Sequence, residues 1–209
     1  MPRIVDKKLK KREIVQASLG VFAKKGFKDT IMADIAKSAG IGKGTIYEYF
    51  PNKQAIFFDV FKLMEKEMDR EIDRGLSSSS DPARQLKGFI KGYCCFYENL
   101  PEAMVIYIDF WIETIKDQMK MPENHLRDRY QQIVSILERG HKLGTFRPLE
   151  TGLTATIIFS AIGGLVFQWI TSNRDFNLLG AADELADTLL KWMEIPNITA
   201  AKKRKQVAV

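Results

Sequence analysis

The chain has 209 residues, 45% hydrophobic and 28% charged, enough apolar material for a sizeable core in one or two domains. No run approaches the roughly 20 uncharged apolar residues that span a bilayer, and the opening MPRIVDKKLKKRE lacks the apolar stretch of a secretory signal. A cytoplasmic protein with no membrane partner is therefore expected. The net charge of +6 is unevenly placed: residues 1–53 hold 12 Lys and Arg against 5 Asp and Glu, whereas residues 54–201 carry −5. A basic first quarter on an acidic body points to a polyanionic partner for the N-terminal part alone.

Helical spacing dominates and no strand alternation is visible, so the fold is expected to be all-α, with about nine helices. In the first helix, Ile14, Ala17, Ser18, Val21 and Phe22 form one buried face. Lys24 and Lys25 suit its negative end, and Gly26 can take the left-handed position that closes it. Thr30 is expected to cap a second helix whose inward face is Ile31, Ile35 and Ala39.

The stretch DIAKSAGIGKGTIYEYFPNK, residues 34–53, holds two helices too short to survive alone, about 31–38 and 42–48. Small Ala36 permits a close crossing, Gly40 can turn the chain, and Ile41 and Ile46 point back into a small core. That spacing predicts a helix-turn-helix. Its second helix presents Gly42, Lys43, Gly44, Thr45, Tyr47 and Glu48, with Tyr49 just beyond. Glycines at a helix N-terminus let phosphate approach free N–H groups, while Lys43, Thr45, Tyr47 and Tyr49 offer donors to phosphates or base edges. Lys53 opens the next helix, where a cation opposes the dipole, and a phosphate opposite it would explain its presence.

Residues 10–60, through Phe22, KKGF, Thr30, IA at 35–36, AGI at 39–41, KGTIY, Phe50 and NK at 52–53, resemble the N-terminal domain of the tetracycline-repressor (TetR) family of transcriptional regulators. The resemblance implies that Thr30, Lys43, Thr45, Tyr47 and Lys53 fall where family members commonly contact DNA. Many members carry serine at the position of Gly42 and histidine at that of Tyr49, departures that bear on the operator sequence. The chain is thus divided into a DNA-binding domain at 1–54, a connecting helix at 55–75, a ligand-binding and dimerisation domain at 76–196, and a basic tail at 197–209.

SSSSDP breaks the chain after the fourth helix, and five more helices are expected at about 82–99, 101–120, 123–143, 149–172 and 180–194. The first contains Phe89, Tyr93, Phe96 and Tyr97, and the adjacent pair Cys94 and Cys95, which point too far apart on a helix for a disulfide and read as small buried side chains. The next, PEAMVIYIDFWIETI, is apolar nearly all round, as a helix enclosed on every side would be. Met104, Ile108, Trp111 and Ile115 share a stripe, with Tyr107 and Phe110 off it. Such density reads either as core or as a deformable pocket; the resemblance, whose members bind an inducer between these helices, favours a pocket for a small, largely apolar effector at Phe89, Tyr93, Tyr97, Met104, Tyr107, Ile108 and Trp111. Asp109 and Glu113 share one face of this apolar helix, to be answered by solvent, by Lys116 or by a cationic ligand.

His125 and His141 lack metal-ligand spacing and are assigned to surface or helix ends. The helix at 149–172 carries Ala155, Ser160, Ala161, Gly163 and Gly164, small residues that permit close helix approach at a cost in propensity. The resemblance implies a homodimer through the last two long helices, at Ser160, Ala161, Gly164, Leu185, Leu189 and Trp192. No catalytic set, metal motif or phosphate loop is visible, and GIGKGT lacks the spacing of the last, so neither an enzyme nor a cofactor is expected. The alternative is a helical interaction module that never touches DNA; it would show no salt-dependent binding to duplex.

Overall fold

The computed structural model describes residues 6–116 and 125–195. The basic tail, and the residues after 116 expected to end the apolar helix, lie outside them. Among the described residues there are eight α-helices, one 3-10 turn and no strand. The helices are α1 (Lys7–Asp29), α2 (Met32–Ser38), α3 (Lys53–Leu76), α4 (Pro82–Asn99), α5 (Ala103–Ile115), α6 (His125–Lys142), α7 (Thr151–Thr171) and α8 (Leu178–Met193), with the 3-10 turn at Thr45–Glu48 between α2 and α3.

Side-chain caps set several of the starts. Asp6 accepts from the N–H groups of Lys8 and Leu9, Asn52 from Ala55, Asp81 from Ala83 and Arg84, and Asn177 from Gly180. Thr30 does not cap α2. Ile31 stands at that cap, 58% exposed rather than inward, and the Asp34 carboxylate reaches back to its N–H at 3.2 Å. The Lys25 hydrogen bond, and then that N–H, hold the Asp34 carboxyl below the ordinary carboxylate value.

The described chain divides into two compact units, one of residues 6–70 and 96–116, the other of 71–95 and 125–195. The divisions fall inside α3 and α4. In the first unit Ile14, Phe22, Ile35, Ile46, Ile56, Phe57 and Val60 are wholly enclosed. Phe22 meets Phe57 edge-on at 4.9 Å, and Phe61 stacks on Phe110 of α5 at 4.1 Å. α5 packs against α1 and the Arg70-side half of α3 is joined to it by the buried Glu65 carboxylate, which accepts from the Tyr107 hydroxyl.

In the second unit the end of α3 crosses α4 backbone to backbone. A Cβ on Gly75 would sit 2.1 Å from the Gly88 carbonyl oxygen, one on Gly88 2.3 Å from that of Gly75, and one on Gly92 2.5 Å from that of Glu71. No other residue fits three such positions at this separation. Lys87 and Lys91 on α4 then pair with Asp183 and Asp187 on α8. The Asp187 hydrogen bond raises the Lys87 ammonium above its ordinary value; burial alone would raise Asp183, but Lys91 and Lys87 bring its carboxyl below the ordinary value.

α7 packs against α6 and α8 through Ile158, Ile162, Val166 and Trp169. Contrary to the expectation from sequence, this 21-residue helix is long and apolar enough to cross a membrane by length and composition, and 33% of its apolar window is buried. Its other face leaves Leu153, Ile157, Ser160, Gly164, Phe167 and Thr171 exposed at alternating spacings of four and three. Gly163 and Gly164 have open space where a Cβ would stand, so no helix among the described residues uses their small size.

Candidate nucleic-acid interface

Gly40, at φ 64°, reverses the chain after α2, and the Ile41 N–H donates back to the Ala36 carbonyl at 3.0 Å. The Ser38 hydroxyl fastens the end of α2 to the Ala17 carbonyl of α1 at 3.1 Å. The chain then makes one 3-10 turn at Thr45–Glu48, where an α-helix over 42–48 was expected. Glycines at 42 and 44 each cost about 1 kcal/mol of helix propensity, and too few residues remain before Pro51 to nucleate a regular helix.

Ile46 and Phe50 are buried and fix the turn from beneath, with the Lys11 ammonium 4.9 Å over the Phe50 ring. Above them Gly42, Lys43, Gly44, Tyr47 and Glu48 are exposed and Thr45 and Tyr49 half-buried. Six of the eight residues expected to face DNA therefore share one short, rigidly seated stretch. Its donors are an ammonium, a hydroxyl and two phenols, suited to phosphate oxygens and base edges.

The other two are used inside the protein. Thr30 is fully buried and its hydroxyl donates to the Gly26 carbonyl at 2.6 Å. The Lys53 ammonium donates to the carbonyls of Phe27 (2.7 Å), Lys28 (2.8 Å) and Thr30 (2.8 Å), and lies 4.7 Å over the Phe27 ring. All three of its N–H donors are committed, so the cation answers the orphan carbonyls at the end of α1 rather than a phosphate. The dipole of its own helix gave the wrong reason for its presence; the neighbouring helix gives the right one.

α5 is not enclosed on every side. Ala103, Ile106, Tyr107, Phe110 and Glu113 are buried, whereas Val105, Ile108, Trp111 (47%), Ile112 and Ile115 are exposed. Of the residues expected to bind an effector, Tyr97 and Tyr107 are buried 6.1 Å apart, Met104 is half-buried, and Ile108 and Trp111 lie on the open face. In the second unit Phe89 is wholly buried, and Tyr93 meets Phe159 edge-on at 6.0 Å. Glu113 pairs with Lys116 at 3.5 Å. Asp109, whose partner the sequence left open, accepts the Phe27 N–H at 2.7 Å. Of the residues expected at a dimer interface, Ser160, Gly164 and Trp192 are exposed, Ala161 and Leu185 half-buried and Leu189 buried.

A short helix, a glycine turn and a donor-bearing second element, on a basic first quarter followed by a helical body, define a DNA-binding transcriptional regulator. Residues 14–60 match the family model of bacterial regulatory proteins, tetR family. The chain is 27% identical over 174 residues to the uncharacterized HTH-type transcriptional regulator YhgD of Bacillus subtilis (strain 168), covering 77% of this chain and 84% of that one. It is 24% identical over 187 residues to the fatty acid metabolism regulator protein of the same organism, covering 88% and 95%. Among solved structures, the transcriptional regulator FadR from Bacillus subtilis in complex with stearoyl-CoA superposes with a TM-score of 0.65 at 20% identity, over 86% of this chain and 97% of that one. Residues 14–60 thus carry a helix-turn-helix of the tetR-family type, and the chain is a DNA-binding transcriptional regulator similar to repressors and ligand-binding regulators of that family.

Proposed function

We propose that this regulator represses transcription in the cytoplasm as a homodimer on a near-palindromic operator and is released by an acyl-CoA thioester. The observation that carries the DNA half is the seated turn at Thr45–Glu48, with Lys43, Thr45, Tyr47 and Tyr49 directed away from Ile46 and Phe50. Gly42 and Gly44 let a phosphate approach the backbone, and Thr45 and Tyr47 reach base edges. Thr30 and Lys53 brace the segment from Gly26 to Thr30 that leads into α2.

The dimer reading is supported by the exposed stripe from Leu153 to Thr171 on α7 and by Trp192 on α8. A second copy laid along them removes an apolar stripe from water and accounts for the open space beside Gly163 and Gly164. The opposite face of α7 is committed to α6 and α8, which a helix surrounded by lipid would not require. The effector reading is supported by the relatives named for fatty acid metabolism, by the relative solved with stearoyl-CoA, and by the open apolar face of α5 at Ile108, Trp111, Ile112 and Ile115, with Met104 beside it.

Footprinting the purified protein on the DNA flanking its own gene, alone and with saturated acyl-CoAs of graded chain length, tests the whole reading. A protected near-palindrome, lost with long but not short chains, is the expected result. Because Trp111 is half-exposed, Trp111→Ala should fold and keep operator affinity while losing the chain-length response. Protection that no acyl-CoA alters removes this effector class and leaves the DNA reading standing.

A further inference from the structure

α1 is not one continuous helix. At Gly26 the backbone leaves the helical region (φ 75°, ψ 167°) and the chain turns through Phe27 to Thr30 before α2 begins. Such a break frees backbone groups that must find partners or remain unpaired beside a core. Here they find side chains from two other helices. The Phe27 N–H donates to Asp109 Oδ2 of α5 at 2.7 Å, and the Phe27 carbonyl accepts from Lys53 Nζ of α3 at 2.7 Å. The Phe27 ring lies 4.8 Å from Phe57. A Cβ on Gly26 would come within 3.2 Å of Asp109 Oδ2, so the carboxylate occupies the space that only glycine leaves open.

We propose that Asp109 is the positioning residue through which α5 governs the DNA-reading turn. Phe27 is gripped at its N–H by an anion and at its carbonyl by a cation, each at the favourable end of one of the two peptide dipoles that flank its Cα. The segment they hold leads directly into α2, the first helix of the DNA-reading pair. Asp109 lies on the half-buried side of α5, while Ile108, Trp111 and Ile112 face outward on the same helix. A small rotation or slide of α5 therefore draws the carboxylate from the Phe27 N–H. Phe27 then loses one of its two charged holds, and the seat of the recognition turn loosens without any ligand near the DNA. The part played by an effector rests on the reading of α5 given above; the part played by Asp109 in seating the turn does not.

Operator affinity of the full-length protein, measured with and without stearoyl-CoA for wild type, Asp109→Ala and Asp109→Asn, tests this. Asp109→Asn keeps an acceptor oxygen and should bind operator within about twofold of wild type. Asp109→Ala should bind roughly 5–150-fold more weakly without any ligand, the span of ordinary allosteric couplings, with an unchanged salt slope. Amide exchange at Phe27 should speed up in Asp109→Ala alone, and stearoyl-CoA should add little further loss. Wild-type operator affinity in Asp109→Ala overturns the proposal. So does a loss shared equally by Asp109→Asn and tracking a lowered unfolding midpoint, which would make the residue a staple of the core. Should stearoyl-CoA leave wild type unaffected, the effector class fails while the ligand-free comparison still decides the role of Asp109.

Discussion

Lys53 carries one positive charge and three donors, and where those donors go decides what its loss does. They meet the carbonyls of Phe27, Lys28 and Thr30, in a half-buried position over the Phe27 ring. Lys53→Met keeps the length of the side chain and removes the bonds. Hydrogen bonds to a charged group contribute about 1.5–3 kcal/mol, so a stability loss of that order is expected in thermal or denaturant unfolding. Operator affinity should fall because the turn is less firmly seated, but the dependence of log K on log salt should keep its slope. A phosphate contact would instead shallow the slope by about 1. A salt titration of Lys53→Met that shows this shallowing assigns the ammonium to DNA after all.

At the scale of elements, glycine has opposite consequences in two helices. Gly88 lies against the backbone of Gly75, an atom pair that no rotamer change relieves. Gly88→Ala must push α4 off α3, and overpacking of this kind costs typically about 1–3 kcal/mol. Gly20, exposed on α1, has nothing within 4 Å of where a Cβ would stand. Gly20→Ala should therefore raise stability by roughly 0.5–1 kcal/mol through helix propensity. If both substitutions shift the unfolding midpoint in the same direction, the crossing is looser than these distances require. The sequence announced the helices through apolar spacing and through Pro82 and Gly40, because those signals are local, whereas its one capping residue, Thr30, turns instead to the Gly26 carbonyl. It was silent where the cause was non-local. The apolar surround of α5 read as enclosure, since composition says how apolar a helix is and not which face finds a neighbour. Asp109 stood out as a carboxylate on an apolar helix, yet its partner, a backbone N–H 82 residues earlier, leaves no mark in composition or spacing. The six turn residues expected to face DNA fall on one short stretch, four exposed and Thr45 and Tyr49 half-buried, because they lie within eight positions of one another.

For the molecule as a whole, charge and apolar surface are sorted to different parts of the chain. The +7 of residues 1–53 serves a polyanion, and the −5 of residues 54–201 belongs to the body. The apolar surface of α7 is left exposed among the described residues: Leu153, Ile157 and Phe167 (53% exposed) lie on one stripe with Ser160 and Gly164. In the proposed dimer, two copies joined there would carry two recognition turns related by a two-fold axis, which demands half-sites about one helical turn, or a multiple, apart. Joining two reading heads raises the effective concentration of the second once the first is bound, and typical gains are about 10²–10⁴-fold without any new contact to DNA. Phe167→Glu places a charge in the centre of the stripe, where burial against its own image sets two carboxylates together. It should yield monomers in analytical ultracentrifugation at micromolar concentration, with helical content unchanged because Phe167 does not belong to the chain's own core. Operator binding should weaken by about 10²–10⁴-fold, while affinity for a single half-site stays near that of wild type. A Phe167→Glu protein that still sediments as a dimer would move the interface off this face of α7.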